Sequence, residues 1–270
     1  MPLSEKSQLQ YDNIYSIIER KLGKPVNYED TEAIMNVIRA KDNGQIVSDH
    51  TLKNRLSAVI HKSDNKFYKT EMENVKRRLN AKAEDPETNI AKEGEYTYKD
   101  FKDAFDKAEG KEKMVLGLYF LTPPRRIADY IHMVVRAKRP GRMFKKVNYL
   151  IMDEKKFVFN EYKTNDKYGR QEFDIPPDLW DLLKDFIGPD RALLINEGTG
   201  KVYTEPQFSD YMARINLRLV GKRGSATAFR HSFITHFLSG NPTTAERKRV
   251  SNLMAHDIRQ QLEYDRRVAE

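Results

Sequence analysis

The sequence predicts an α-rich α+β fold. An N-terminal four-helix domain is joined to a larger, mainly helical domain with a small three-stranded antiparallel sheet. Three observations carry this reading. Apolar residues recur at helical spacing through the first 84 residues, with no strand-like alternation. The run EDPETNIAKEGEYTY that follows holds a Pro, a Gly and five acids, a composition suited to a linker. Beyond it, one region alone combines short apolar runs with polar turns. The expected division is 1–84, a linker at 85–98, and 99–270.

The elements follow in order. Ile14, Ile17, Ile18 and Leu22 share one helical face. Asp30 or Thr31 can cap a second helix running through Val37 and Ile38. Ser48 or Asp49 can cap a third, with Leu52, Leu56, Val59 and Ile60 inward, and a fourth runs from Lys66 to Ala83. In the second part, helices are expected at 98–108 and 111–121 and from Pro124 onward. NYLIMD, KFVFNEYKT and RQEFDI then read as three strands, with a polar turn at Asn165–Gly169. Helical patterning returns after Pro176, at 205–220, 227–239, 243–255 and in a short stretch ending near Tyr264.

Composition narrows the function. The chain of 270 residues has no cysteine, which excludes disulfide frameworks, Cys-ligated metals and cysteine nucleophiles and fits a reducing, intracellular setting. No apolar run is long enough to span a membrane, and the N-terminus lacks the apolar core of a signal peptide. A net charge of +8 suggests a polyanionic partner. Residues 50–82 carry nine Lys or Arg against three acids, and Lys53, Arg55, Lys62 and Arg77 are candidate phosphate contacts. Two further basic runs contain no acid. One includes Arg139 and Arg142; the other is formed by Arg214, Arg218, Lys222 and Arg223. Both runs support contact with DNA, with a solvated face as the alternative reading.

Several chemistries have no sequence support. There is no phosphate-binding GxxxxGK[ST] loop, no GxSxG elbow, no HExxH, and no carboxylate cluster of the two-metal kind. No metal and no cofactor is expected. What remains is a series of basic and aromatic residues in the second domain. They lie in PRRIADY (124–130), Lys163-Thr164, AFRH (228–231), and LMAH (253–256) followed by Tyr264. Taken singly, each has an ordinary explanation. Arg126 could pair with Asp129 along a helix, Lys163 could be solvated, Arg230 could be a buried structural arginine, His256 a helix cap and Tyr264 a core aromatic.

Taken in order, these segments resemble the tyrosine recombinase (phage integrase) family. Its pattern runs Arg, a hairpin Lys, His/Lys-x-x-Arg, His/Trp and Tyr. RRIADY is similar to the family's R-x-x-[DE] segment, which selects Arg126 and leaves Arg125 as second choice. EYKTND resembles the Lys-Thr hairpin and gives Lys163; ATAFRHSFITHFL resembles the helix of the second arginine and gives Arg230. NLMAHDIRQQLEY resembles the L-x-G-H…Y ending and gives His256 and Tyr264. The agreement spans about 170 residues of the chain, and the four-helix part resembles the family's core-binding domain in architecture.

The resemblance implies a catalytic domain at 99–270 that cuts and rejoins double-stranded DNA. Two arginines would clamp the phosphate, Tyr264 would form a 3′-phosphotyrosyl link, Lys163 would protonate the leaving 5′ oxygen, and His256 would assist at the phosphate or the tyrosine. It also implies a DNA clamp and a tetramer on paired sites. Two departures stand out. Thr227 occupies the usual His/Lys position three before Arg230, and the gap from His256 to Tyr264 is eight residues where nine is usual. A type IB topoisomerase with the same chemistry, or a DNA-binding protein with a decayed site, also accommodates these residues.

Overall fold

The computed structural model describes residues 5–84, 96–258 and 261. The chain separates into two compact units, residues 1–88 and 89–270.

The first unit contains α1 (Glu5–Leu22), α2 (Thr31–Arg39), α3 (Asp49–Lys62) and α4 (Lys66–Glu84). Asp30 and Ser48 cap α2 and α3, their side chains accepting from the Ala33 and Thr51 amides. Ile14, Ile18, Ile34, Ile38, Leu52, Leu56, Val59, Tyr68 and Val75 form the core. Two tyrosines in it donate to backbone carbonyls, Tyr15 to Ala58 and Tyr68 to Tyr28, so each buried hydroxyl is satisfied.

The second unit begins with α5 (Tyr98–Lys107), whose Thr97–Asp100 capping box satisfies two orphan amides. Tyr96, Thr97 and Tyr98 therefore belong to this unit; the rest of the expected linker lies outside the described residues. Next come α6 (Gly110–Phe120), α7 (Ile127–Ile131), β1 (Val134–Arg136), β2 (Tyr149–Ile151), β3 (Lys156–Phe159), α8 (Asn165–Tyr168), β4 (Gln171–Asp174) and α9 (Pro177–Leu183). The remaining elements are β5 (Ile195–Asn196), β6 (Lys201–Val202), α10 (Glu205–Val220), α11 (Ala226–Ser239) and α12 (Thr244–Leu253).

The sheet corrects the expectation of three antiparallel strands. It has four strands in the order β1-β2-β3-β4, with β1 parallel to β2 and the other neighbours antiparallel. The added strand, Val-Val-Arg, is too short to display alternation, and its partner is set by a long crossover rather than a local turn. The turn expected at Asn165–Gly169 is the one-turn helix α8, ended by Gly169 at φ 64°.

Behind the sheet, the Phe101 and Phe229 rings stack at 4.2 Å and join α5 to α11. Gly224 admits this packing. A Cβ there would lie 2.7–2.8 Å from Phe229, Asn216 and Tyr96. The Tyr96 hydroxyl donates to the buried Asn216 side chain, which itself donates to the Met212 carbonyl.

Candidate active site

Four separated segments of the second unit meet around the carbonyls at the end of α12. The Arg126 side chain comes from the start of α7 and donates from Nη1 to the Ala255 carbonyl at 3.2 Å. The same carbonyl accepts the Thr164 hydroxyl at 3.0 Å. This bond holds the segment carrying Lys163, whose side chain is exposed. From α11, the buried Arg230 donates to the Pro124 carbonyl at 2.6 Å and the Met254 carbonyl at 3.4 Å. Its Nη2 lies 3.1 Å from Nδ1 of His256.

Backbone geometry delivers His256 to this place. After α12 the chain turns through Ala255 at φ 51°, a left-handed conformation that costs an ordinary L-residue about 1–2 kcal/mol. The Ser251 hydroxyl donates to the His256 carbonyl at 2.6 Å and closes the turn. Ala255 occupies the position that is glycine in the L-x-G-H pattern.

The electrostatics of His256 follow from its surroundings. Burial, then the charges of Arg230 and Arg126, push its pKa down to about 3. The imidazole is therefore neutral at ordinary pH. A guanidinium can only donate, so Nδ1 must be the acceptor and the proton resides on Nε2. A neutral imidazole with Nε2–H can donate to an anion.

The two adjacent arginines are held in opposite ways. Arg125 is 2% exposed and ion-paired through Nε to Asp129 at 2.8 Å. Its Nη1 donates to Gln171 Oε1 and to the Leu253 carbonyl, and its guanidinium lies 3.9 Å from the centroid of Phe159. The acid expected to select Arg126 thus pairs with its neighbour. Arg126 bonds a carbonyl instead, which satisfies a donor without cancelling its charge, and no ion pair of Arg126 is present among the described residues.

Asn148 anchors the approach to Lys163. Its amide nitrogen donates to the Asp129 and Glu161 carbonyls, and its oxygen accepts from the Asn160 and Glu161 amides. All four of its hydrogen-bonding positions are filled, tying α7 to the chain leaving β3. No pattern in the sequence marks Asn148, because its partners lie 12–19 residues away. Arg125 was legible as the residue four before Asp129.

Of the other expected site residues, one stands apart and one is not described. Thr227 is exposed on the first turn of α11 and, among the described residues, has no hydrogen bond to the cluster. Tyr264 lies outside the described residues.

The expected phosphate contacts divide by their partners. Lys53, Lys62, Arg77 and Arg142 are exposed, with Lys62 also 4.8 Å from the centroid of Tyr15. Arg55 donates to the Ile38 and Ala40 carbonyls at the end of α2. Arg139 grips Glu154 and Glu172. Arg214 pairs with Asp210, Arg218 with Glu112 and Lys222 with Asp100. The run from Arg214 to Arg223 is thus free of acids in sequence but not in space.

No family model matches the sequence, and no curated protein matches it. Solved structures do match the fold. A Tn1549 transposon integrase, solved in complex with transposon right-end DNA, is 13% identical over 97% of this chain and 89% of its own, with a TM-score of 0.58. The integrase in complex with circular-intermediate DNA is 14% identical over 97% and 90%, with a TM-score of 0.55. XerA recombinase is 10% identical over 97% and 88%, with a TM-score of 0.46. On the two integrase matches, this chain shares the fold of a tyrosine recombinase, with a helical unit followed by a larger α+β unit.

Proposed function

We propose that the chain is a site-specific DNA recombinase that cuts and rejoins DNA through a covalent 3′-phosphotyrosyl intermediate. Arg126 and Arg230 hold the nonbridging oxygens of the scissile phosphate, where charge accumulates during in-line attack. The Tyr264 oxygen bonds to phosphorus as the bond to the 5′ oxygen breaks, and Lys163 gives that oxygen its proton. The tyrosine's proton passes to solvent water, and His256 donates from Nε2 to the phosphate. Religation is the reverse, with the 5′ hydroxyl attacking the phosphotyrosine. The bond energy is kept in the link, so no ATP is consumed.

The observation that carries this reading is the convergence on the Ala255 turn. Arg126 and Thr164 share the Ala255 carbonyl, and Arg230 meets His256 at 3.1 Å. Residues 126, 164, 230 and 256 come from four separate parts of the chain, which brings two arginines and a histidine to one point.

A covalent-trapping assay tests it. The protein is incubated in EDTA with fragmented, nicked DNA of its own replicon, so that the cleaved 5′ end diffuses away. A slow-migrating adduct on a denaturing gel, absent for Tyr264→Phe, is the expected result. Tight, salt-sensitive binding to the same DNA with no adduct overturns the catalytic reading in favour of a non-catalytic DNA-binding protein.

A further inference from the structure

The loop between β1 and β2 carries a feature the proposed chemistry does not use. Phe144 is 61% exposed. A lone exposed aromatic is ordinary, but this one has a distinctive setting. Lys138, Arg142, Lys145 and Lys146 are exposed in the same loop, and none has an ion pair among the described residues. The neighbouring Arg139 is fully engaged by Glu154 and Glu172.

The loop is also held firmly. The Phe144 amide donates to the Tyr149 hydroxyl at 3.2 Å, and Asn160 Nδ2 donates to the Val147 and Phe144 carbonyls at 2.7 and 3.4 Å. Asn160 stands three residues before Lys163 and is bonded to Asn148. Phe144 therefore belongs to the same fixed framework as the Lys163 segment. A groove of about 590 Å³ beside the loop is lined by Lys145, Lys146 and Arg170 and also by two acids, Glu161 and Asp166.

We propose that Phe144 is a DNA wedge. Its ring inserts against a base step beside the phosphate held by the catalytic cluster, while Arg142, Lys145 and Lys146 hold the flanking phosphates. The warrant is the pairing of an exposed ring with uncompensated cations on a fixed loop. A protein partner's apolar surface would leave those cations desolvated, whereas a duplex supplies bases for the ring and phosphates for the charges. The inference rests on the proposal that the chain binds DNA, and it goes further by assigning a position to a residue outside the catalytic set.

Trp180 is the single tryptophan of the chain, which permits a direct test. The variant Phe144→Trp/Trp180→Phe carries its reporter at the wedge. Binding of a fluorescently labelled mixed-sequence duplex is followed by anisotropy in the same titration. DNA is expected to quench the tryptophan emission about twofold and to shield it from acrylamide, since bases stack on the indole. Heparin, a polyanion without bases, is expected to leave the emission unchanged. Phe144→Ala, with Trp180 retained, is expected to weaken duplex binding about tenfold with an unaltered salt slope.

Equal responses to DNA and heparin would reduce the loop to a cationic contact and overturn the wedge. So would bound DNA, seen by anisotropy, with no change in emission. No anisotropy change for any form of the protein would instead defeat the DNA-binding reading on which the wedge depends.

Discussion

Replacing Arg125 by Met tests whether this arginine builds the site rather than acting in it. The substitution keeps an unbranched apolar stem beside Phe159 and removes the guanidinium. Asp129, fully buried, then loses its ion pair, and Gln171 Oε1 and the Leu253 carbonyl lose a donor. Breaking a buried pair by deleting one partner costs about 3–5 kcal/mol. For a chain of this size that corresponds to a fall in melting temperature of roughly 10 °C. The pH dependence has a definite sign. Burial already raises the Asp129 pKa, and Arg125 opposes that rise. Without Arg125 the folded-state value climbs further, so the folded variant keeps a proton that the unfolded chain releases. Stability of the variant therefore declines as pH rises above the ordinary carboxylate range, and its deficit is larger at pH 8 than at pH 5. The double variant Arg125→Met/Asp129→Asn removes the orphaned charge and should recover more than half of the loss. Thermal and urea denaturation of the three forms at both pH values decide the matter. A single variant that melts within about 1 °C of the wild type, or a double variant less stable than Arg125→Met, would refute the keystone role.

The adjacent residue should behave oppositely: Arg126→Ala is expected to lower the rate of covalent adduct formation by about 10²–10³ while leaving the melting temperature nearly unchanged, as read by the trapping assay beside a thermal scan. Because His256 is neutral in the folded chain down to about pH 3, while its unfolded value is near 6.5, the unfolded state binds the extra proton between those values. Stability should thus fall as pH drops below 6.5, this group contributing at most about 1.4 kcal/mol per pH unit, and His256→Gln should flatten that limb in urea titrations taken from pH 7 to 5. Ala255→Gly relieves the left-handed strain of about 1–2 kcal/mol against an entropic cost of about 0.5–1 kcal/mol. A net gain of about 0.5–1 kcal/mol is expected, visible as a higher urea midpoint with an unchanged slope; a lower midpoint would show that the turn is unstrained.

Legibility in the sequence followed the range of the interactions. Helices are specified by neighbours three and four apart, so the caps at Asp30 and Ser48 and the inward faces of α2 and α3 could be read directly. The capping boxes at Thr97 and Thr243 rest on the same local logic. Strand β1 could not be read, because three residues carry no period and the parallel partner begins 13 residues after the strand ends. The state of each charged side chain was the least legible feature. Arg218 and Lys222 sit in a run without acids, yet Glu112 and Asp100 reach them from more than 100 residues away. Charge counted along the chain overestimates the charge presented to a partner whenever the fold supplies the counterion.

The same distinction explains why two adjacent arginines can serve one site differently. A guanidinium bonded to a carboxylate loses most of its field beyond the pair; one bonded to a carbonyl keeps it, since a dipole carries no net charge. Arg125 spends its charge on Asp129 and fixes α7 against β4 and α12. Arg126, one residue on, is aimed by that anchor at the Ala255 carbonyl and retains its charge. Its field helps keep His256 neutral, and a phosphate diester entering beside it would reverse that effect, raising the histidine's proton affinity as negative charge builds on the oxygens. On the proposed chemistry, the arrangement would couple the arrival of the anion to the readiness of the imidazole to hold a proton. The coupling requires that Asp129 be matched by Arg125, because an unmatched carboxylate at that depth would draw Arg126 away from the site.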